Sequence, residues 1–283
     1  MKVINEEALT GERSLFKSRD LEIINSNFFD GESPLKESRD INIKNCVFGW
    51  KYPLWYCNDI NVYDTIFLET ARSGIWYTNN ISIKNTIIDA PKTFRRGRNI
   101  SLINVNIPNG LETLWNCKDI VMDNVTAKGD YFGMNSENIE INNFNLCGNY
   151  AFDGAKNIEI RNSKLISKDA FWNCENVTVY NCTIIGEYLG WNTKNLTIID
   201  SFIQSEQGLC YVENLVIKNS KIIRTDLAFE YSTVEVESTT SIDSVKNPIR
   251  GKIKAKSIKE VIMDDNDINI ENTEIIISNR DIS

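Results

Sequence analysis

Histidine is absent from the 283-residue sequence, and proline and glycine are scarce, with 5 and 14 residues. Without histidine the protein lacks the commonest general base, the usual zinc ligand and every catalytic triad that depends on it. The sequence also has no linker rich in Gly, Pro or Ser, and its composition hardly changes along its length. We therefore predict one domain over residues 1–283, in which any chemistry uses carboxylates, Lys, Arg, Tyr, Ser or Cys.

Long apolar runs and a basic surface are also missing. No run approaches the ~18 apolar residues of a membrane span, and the start, MKVINEEALTGE, lacks the basic-then-apolar profile of a signal peptide. The formal net charge of −8, from 31 basic and 39 acidic residues, argues against nucleic acid or an anionic membrane as partner. We expect a soluble cytoplasmic protein whose partners are sugars, other small molecules or proteins.

What the sequence does contain is a repeat. The motif Asn/Asp-Ile-x-Ile-x-Asn, whose first residue we call the anchor, recurs at intervals of 19 to 21 residues. A period this regular predicts a solenoid of stacked coils. The anchors are Asp20, Asp40, Asp59, Asn80, Asn99, Asp119, Asn138, Asn157, Asn176, Asn195 and Asn214.

Alternating side chains within each copy predict β-strands. The first and third residues after an anchor are apolar and the residues between them are mostly polar, as at Ile81 and Ile83. A second apolar position lies eight residues after the anchor and a third lies five residues before it, as at Phe48 and Leu35. The sequence therefore predicts an all-β fold, a parallel β-helix of about 13 coils with three short strands in each coil.

Asn or Asp stands five residues after every anchor, as at Asn25, Asn104 and Asn181. Asn tolerates the left-handed backbone of a turn, and stacked coils allow each side-chain amide to bond to the next. This position therefore predicts an Asn ladder, in which each rung contributes on the order of 1 kcal/mol.

The repeat weakens towards the C-terminus. Segments that begin at Thr233 and Lys252 keep the alternation and a 19-residue step but lose the Asn, and Ile275–Ile277 predicts a last strand. We assign residues 1–19 to an N-terminal cap and first partial coil, 20–222 to regular coils, and 223–283 to degenerate coils and a C-terminal cap. Solenoid ends need such caps because an open coil is a sheet edge.

Asn ladders with stacked aliphatic rows resemble those of the right-handed parallel β-helix superfamily of pectate-lyase-like proteins. More narrowly, the signature Trp-Asn-Cys-x-Asn/Asp at 115–119 and 172–176, with GESPLKES at 31–38, is similar to an uncharacterised bacterial family of such β-helices. The resemblance covers about residues 11–222 and implies the fold much more than an activity.

Seven cysteines are an odd number, so at least one thiol is free. Cys57, Cys117 and Cys174 share the position two residues before an anchor, but three coils at ~4.8 Å separate them, about 14 Å, which is too far for a disulfide. Free, mostly buried thiols are typical of a reducing compartment, and without histidine to activate it a catalytic cysteine is disfavoured.

Five of the six tryptophans stand four residues before an anchor, a position that also accepts Lys36, Arg95 and Asp153. A position that accepts charged residues cannot face the core, so these tryptophans should point outwards. Aromatic rings between amides, carboxylates and guanidinium groups suit an extended carbohydrate, which stacks on rings and bonds through hydroxyls. The predicted ligand-binding residues are Trp55, Tyr56, Trp76, Tyr77, Arg95, Arg96, Trp115, Asn116, Asp130, Tyr150, Trp172, Asn173, Trp191, Asn192 and Tyr211.

Other interpretations of this row of tryptophans stay open. A second subunit, a loop or a terminal segment could cover it, or the turn could be sharp enough to tuck each Trp under its neighbours. The alternative of a different class is a non-enzymatic scaffold, in which the same face is a protein interface or holds a homo-oligomer together.

Catalysis would use carboxylates on the same side of the coils. Glycoside hydrolysis needs two carboxylates about 5 to 9.5 Å apart, a spacing that any solenoid supplies, and the candidates are Asp153, Asp169 and Glu187. A pectate-lyase-like enzyme would instead hold Ca²⁺ with carboxylates and use Arg or Lys as the base. No local catalytic motif of these families is present, so no cofactor or metal ligand is assigned. If the protein is an enzyme, we expect a polysaccharide hydrolase or lyase.

Overall fold

A computed structural model describes residues 2–278 and shows β-strands, turns and two short 3-10 helices, with no α-helix among these residues. Two compact units, Met1–Cys147 and Gly148–Ser283, are described in turn, and one domain over 1–283 stays a prediction. Residue 1 and residues 279–283 of the predicted caps lie outside the described range. No helix between residues 2 and 278 is long and apolar enough to cross a membrane.

The first unit has eight coils, each of which begins with one strand of a parallel ladder. Strands β1, β3, β5, β7, β10, β12, β13 and β14 pair in that order. A second side carries β2, β4, β6 and β8, and on the third side β9 pairs with β11. One 3-10 helix spans Glu69–Ala71. The strands are β1 (Lys2–Asn5), β2 (Ala8–Leu9), β3 (Arg19–Ile24), β4 (Asn27–Phe28), β5 (Arg39–Lys44), β6 (Val47–Phe48), β7 (Asn58–Tyr63), β8 (Ile66–Phe67), β9 (Ile75–Trp76), β10 (Asn79–Ile88), β11 (Phe94–Arg95), β12 (Arg98–Ile107), β13 (Lys118–Lys128) and β14 (Glu137–Cys147).

The second unit has seven coils built in the same way. Strands β15, β17, β19, β21, β22, β24 and β26 form its main ladder, and β16, β18 and β20 form a second side. Strands β23 and β25 pair separately, and a 3-10 helix spans Ile270–Asn272. The strands are β15 (Lys156–Arg161), β16 (Lys164–Ile166), β17 (Glu175–Tyr180), β18 (Thr183–Ile185), β19 (Lys194–Ile199), β20 (Phe202–Gln204), β21 (Glu213–Ile223), β22 (Thr233–Ser238), β23 (Ile242–Lys246), β24 (Arg250–Ala255), β25 (Ile258–Ile262) and β26 (Thr273–Ile277).

The predicted parallel β-helix is confirmed, but the count of about 13 coils was too low, since the two units have fifteen. The two uncounted coils begin with β1 and β26. The sequence assigned these segments to a partial coil and a last strand because they lack the repeating anchor motif. A terminal coil has a neighbour on one side only, so the periodic signal is weakest there.

The predicted 19-residue step between the coils at Thr233 and Lys252 was wrong. Thr233 pairs with Arg250, and Glu235 pairs with Lys252, so the step is shorter by two residues. Because side chains alternate with a period of two, a slip of two residues leaves every apolar side chain on the same face. The apolar pattern alone could not detect this difference in register.

The third side of most coils consists of turns and not of the predicted strand. Two successive β-turns cover it, as shown by hydrogen bonds from Trp172 N to Asp169 O at 3.4 Å and from Cys174 N to Phe171 O at 3.3 Å. The backbone is left-handed at Asp169, Phe171 and Asn173, with φ of 54°, 64° and 55°. Such alternation prevents a continuous strand. We call this segment, seven to two residues before each anchor, the double turn, and the tryptophans lie within it.

Buried rows and ladders hold the coils together. The apolar rows are buried as predicted, and the rings of Phe28, Phe48 and Phe67 stack with centroids 4.5 and 4.8 Å apart. The Asn ladder is confirmed in both units, for example from Asn124 Nδ2 to Asn104 Oδ1 at 2.8 Å. The position five residues after the anchor is left-handed along this ladder, as at Asn104 with φ of 55°.

The anchors form a second ladder that the sequence analysis did not predict. Asn195 Nδ2 donates to Asn176 Oδ1 at 2.8 Å, and Asn214 Nδ2 donates to Asn195 Oδ1 at 2.9 Å. These anchors are also left-handed, which explains why Asn and Asp are the residues found there. The two ladders therefore flank the buried apolar positions one and three residues after each anchor.

Candidate functional site

In the first unit the predicted tryptophans form a stack over the double turns. The rings of Trp55 and Trp76 are nearly parallel, with centroids 5.1 Å apart and an interplanar angle of 7°. The guanidinium carbon of Arg95 lies 4.6 Å from the centroid of Trp76 and 4.6 Å from that of Trp115. These rings lie outside the core and are half-buried. We call this arrangement the Trp-Arg stack.

Each indole of the Trp-Arg stack also uses its N–H within the protein. A half-buried ring whose faces and N–H are already in contact offers little to a ligand, so these rings are tucked under their neighbours. The acceptors are backbone oxygens: Ser73 O for Trp55 at 2.5 Å, Lys92 O for Trp76 at 2.8 Å and Tyr131 O for Trp115 at 2.6 Å.

Arg95 was predicted to contact a ligand, but its guanidinium lies inside the Trp-Arg stack. Its terminal nitrogen is 3.4 Å from a carboxylate oxygen of Glu112, which is also 3.1 Å from Lys92 Nζ. Within residues 2–278, Arg95 Nε is the one side-chain polar atom that is buried without a hydrogen-bond partner. Arg95 is therefore a component of the packing, and its charge is partly balanced by Glu112.

The remaining predicted residues of the first unit include two tyrosines with nearby cations. The rings of Tyr56 and Tyr77 are parallel, with centroids 4.7 Å apart. Lys36 Nζ lies 5.7 Å from the ring centroid of Tyr56, and Arg96 Cζ lies 5.8 Å from that of Tyr77. The other two predicted residues are Asn116, which is exposed, and Asp130, which is half-buried.

In the second unit the same face of the coils opens into a cleft of about 360 Å³. The ring centroids of Tyr150 and Trp172 lie 6.2 Å apart, and those of Tyr188 and Trp191 lie 5.8 Å apart at an angle of 85°. Unlike the indoles of the Trp-Arg stack, those of Trp172 and Trp191 donate no N–H to an acceptor within residues 2–278, and neither nitrogen is buried. The cleft is lined by Tyr150, Lys168, Asp169, Trp172, Tyr188 and Trp191.

Asp169 is the buried carboxylate of this cleft, with 6% of its surface exposed. Burial raises the pKa of the Asp169 carboxyl, Lys168 opposes that shift, and the negative charges of Glu187 and Asp153 add to it. Lys168 Nζ lies 3.3 Å from Glu187 Oε2 and 5.1 Å from the ring centroid of Tyr188. The cation nearest to Asp169 is thus already paired with another carboxylate.

Asp153 and Glu187 are both close enough to act on the Asp169 carboxyl, but of the three predicted catalytic carboxylates only Asp169 lines the cleft. Asp153 accepts a hydrogen bond from Asn173 Nδ2 at 3.1 Å, and Glu187 is exposed and paired with Lys168. Asn192 Nδ2 in turn donates to Asn173 Oδ1 at 2.7 Å. These amides and carboxylates form the polar rim beside the aromatic rings.

Two residues that line the cleft, Lys168 and Tyr188, are not among the predicted ligand-binding residues. A tyrosine three residues before a tryptophan was the available signal, since Tyr188 precedes Trp191 as Tyr52 precedes Trp55. In the double turn these two positions bring their rings together, with centroids 4.6 Å apart for Tyr52 and Trp55. Trp191 also contacts Tyr211, at 4.8 Å between centroids.

No group of three or more Asp, Glu or Cys residues in the described range is arranged to hold a metal ion. All seven cysteines are free, whereas the sequence predicted at least one free thiol, and only Cys147 is exposed. Burial raises the pKa of Cys57, Cys117 and Cys210 to about 12, so these thiols are held in the neutral, unreactive form.

These coils, ladders and apolar rows define a parallel β-helix protein. Residues 2–276 match the family described as a protein of unknown function (DUF3737), and the chain belongs to that family. A search of curated proteins found no match.

Solved structures that are similar to this chain are distant from it in sequence. PfbA, a surface adhesin of Streptococcus pneumoniae, is similar with a TM-score of 0.51 and 8% identity over 86% of this chain and 83% of that chain. The mannuronan C-5 epimerase AlgE4 A-module of Azotobacter vinelandii has a TM-score of 0.39 and 10% identity over 97% and 87% of the two chains. A tailspike mutant of E. coli bacteriophage HK620, solved with a hexasaccharide, has a TM-score of 0.42 and 10% identity over 87% and 59%. The likeness to PfbA shows a shared parallel β-helix fold and shows no activity.

Proposed function

We propose that the protein binds a carbohydrate through the cleft of the second unit. The observation that carries the proposal is the pair of half-buried indoles, Trp172 and Trp191, whose N–H groups are not used by the described protein residues. Flat rings offer stacking surfaces to the C–H faces of a sugar, and unpaired N–H groups can donate to its hydroxyls. Asp169, Asn173 and Asn192 supply further polar contacts beside the rings.

The tryptophans of the two units differ in how their rings and N–H groups are used, and this difference reduces the set of proposed ligand-binding residues. The Trp-Arg stack of the first unit satisfies its rings and N–H groups internally, so we assign it to the packing of the double turns. The proposed binding residues are then those of the second unit: Tyr150, Trp172, Asn173, Trp191, Asn192 and Tyr211.

Binding should be measured by quenching of intrinsic tryptophan fluorescence during titration with neutral, acidic and amino oligosaccharides. Trp172→Ala and Trp191→Ala should each weaken binding by about tenfold or more, corresponding to the ~1.4 kcal/mol of a lost stacking contact. Trp50→Ala is the matched control, because Trp50 is the one tryptophan outside the double turns. The melting temperature of each variant should stay close to that of the parent protein.

A different result would favour the alternative function. If no oligosaccharide changes the fluorescence, and light scattering shows an oligomer whose tryptophans iodide cannot quench, the aromatic surface is a protein interface. Cleavage of bonds by Asp153, Asp169 and Glu187 is a separate proposal, which release of new reducing ends from a bound oligosaccharide would test.

A further inference from the structure

We propose that the ligand of this cleft is an amino glycan, a sugar chain that carries positively charged amino groups, and that Asp169 and the surrounding rings hold one such group. This inference deepens the proposed function and rests on it. The second unit supplies three separate features that select a cation over a neutral or acidic sugar.

Charge is the first feature. Three carboxylates act in this region, Asp153, Asp169 and Glu187, against the single cation Lys168. Lys168 acts on Asp169 but forms its ion pair with Glu187, at 3.3 Å, and Asp169 forms no ion pair within the described residues. A buried carboxylate is costly unless it is paired, so a ligand cation would offset that cost.

The second feature is that four aromatic rings line the cleft together with this carboxylate. Tyr150, Trp172, Tyr188 and Trp191 line the same cleft as Asp169. Rings of this kind attract alkylammonium groups through their negative faces, and such cages recognise quaternary ammonium ligands in other proteins. The protein already uses this interaction in the same cleft, where Lys168 Nζ lies 5.1 Å from the ring centroid of Tyr188.

The third feature is that the cleft disfavours the binding of acidic and neutral sugars. An acidic sugar would bring a like charge towards Asp169 and Glu187, which is unfavourable in a partly desolvated site. A neutral or acetylated sugar could stack on the rings but would cover the Asp169 carboxylate without pairing its charge. The net charge of −8 also favours encounter with a cationic polymer over an anionic one.

The experiment compares four oligosaccharides of equal length by fluorescence titration and calorimetry. They are an oligomer of glucosamine, its N-trimethylated derivative, its fully N-acetylated derivative and an oligogalacturonide. The trimethylated derivative keeps its positive charge at every pH. Its binding therefore shows the effect of ligand charge without any change in ligand protonation. We expect the two cationic oligomers to bind about tenfold or more tightly than the acetylated one, and the oligogalacturonide to bind most weakly.

Asp169→Asn tests which residue produces the preference. This variant should lose the tenfold preference for the cationic oligomers while its affinity for the acetylated oligomer stays the same. Glu213→Gln is the matched control, because it also removes one negative charge from the second unit but lies in an exposed ion pair with Lys194. The preference should survive in that variant.

The possible results separate this inference from the proposed function. If the acetylated oligomer binds as tightly as the cationic ones, the cleft is a carbohydrate site without selection for a cation, and the inference is overturned. If a lysine peptide of equal charge binds as tightly as the glucosamine oligomer, the cleft binds any cation and does not recognise the sugar. That result also overturns the inference. If none of the four oligosaccharides binds, both the inference and the proposed function fail.

Discussion

The guanidinium of Arg95 stacks on the ring of Trp115, with 4.6 Å between Arg95 Cζ and the ring centroid. Arg95 occupies the position four residues before its anchor, which in the neighbouring coils is Trp76 and Trp115. An arginine can replace a tryptophan there because the guanidinium is also planar and stacks on aromatic faces. Arg95, whose charge led us to predict that this position faces outwards, is thus part of the Trp-Arg stack.

Removing that guanidinium should destabilise the first unit. Arg95→Ala deletes two cation–π contacts, and the expected loss is about 1–3 kcal/mol of unfolding free energy, since partly desolvated contacts of this kind contribute up to ~2 kcal/mol each. Arg96→Ala is the control: Arg96 is exposed, lies 5.8 Å from a single ring, and should cost less than about 0.5 kcal/mol. Urea denaturation of both variants measures the difference in unfolding free energy. Equal losses of unfolding free energy would show that the Trp-Arg stack adds no stability beyond that of an exposed arginine contact.

Substitutions at Asn104 distinguish two contributions to stability: the hydrogen bonds of the Asn ladder and the left-handed backbone conformation of this residue. Its side chain donates to Asn85 at 3.1 Å and accepts from Asn124 at 2.8 Å, and its φ is 55°. Asn104→Gly loses only the hydrogen bonds and should cost about 1–2 kcal/mol, whereas Asn104→Ala adds the left-handed penalty of about 1 kcal/mol. Thermal unfolding should rank alanine below glycine; the reverse order would mean that backbone conformation is not the selecting factor.

Asp169 and Asp264 should affect stability with opposite dependence on pH. The pKa of Asp169 is raised by burial, with Lys168, Glu187 and Asp153 as the charges that act on it. A raised carboxyl pKa gives a contribution that is full below the unfolded pKa, about 4, and is lost as pH rises through the folded value. Asp169→Asn should therefore raise the melting temperature at neutral pH, with a gain that shrinks on acidification.

The matched comparison is Asp264→Asn. A hydrogen bond from Asn247 at 2.7 Å and the nearby Lys246 lower the pKa of the Asp264 carboxyl. Its contribution is present above the unfolded pKa and is lost as pH falls through the folded value, so the substitution should lower the melting temperature at neutral pH. Melting curves over a range of acidic to neutral pH test both; the same sign for the two variants would contradict the assignment.

Thiol accessibility gives a direct test of the coil interior. Cys147 is exposed, whereas the other six cysteines are buried, and burial raises the pKa of each of those six thiols. A thiol reagent should modify one cysteine rapidly in the native protein and the remaining six only after unfolding. Cys147→Ser should abolish the rapid phase, and a rapid phase that survives in this variant would show that a coil opens.

The sequence predicted the fold well because the coil repeats local information. Alternation at positions such as Ile81 and Ile83 indicates which face is buried, and the regular interval places each residue above its counterpart. The same logic failed at Thr233 and Lys252, where a slip of two residues preserves the alternation and only the backbone pairing reveals the register.

The candidate site was less predictable because it depends on the double turn. The row of tryptophans could be identified from spacing, but the left-handed backbone at Asp169 and Asn173 determines where their neighbours point. Trp76 and Trp172 occupy the same position of the repeat, yet one ring is enclosed by an arginine and a second tryptophan while the other lines a cleft. That difference arises from the side chains in adjacent coils, which a single repeat does not specify.

Register between coils has a consequence for how this chain can vary in length. Val177 lies above Leu196, and Val179 above Ile198, so residues 19 positions apart have equivalent surroundings. If Glu175 were joined directly to Asn195, both amide ladders and every apolar row would continue without a break. Insertions and deletions in natural relatives should therefore comprise whole coils. Changes of other sizes should fall between the second side and the double turn, where the 3-10 helix Glu69–Ala71 lies and neither amide ladder has to be rejoined.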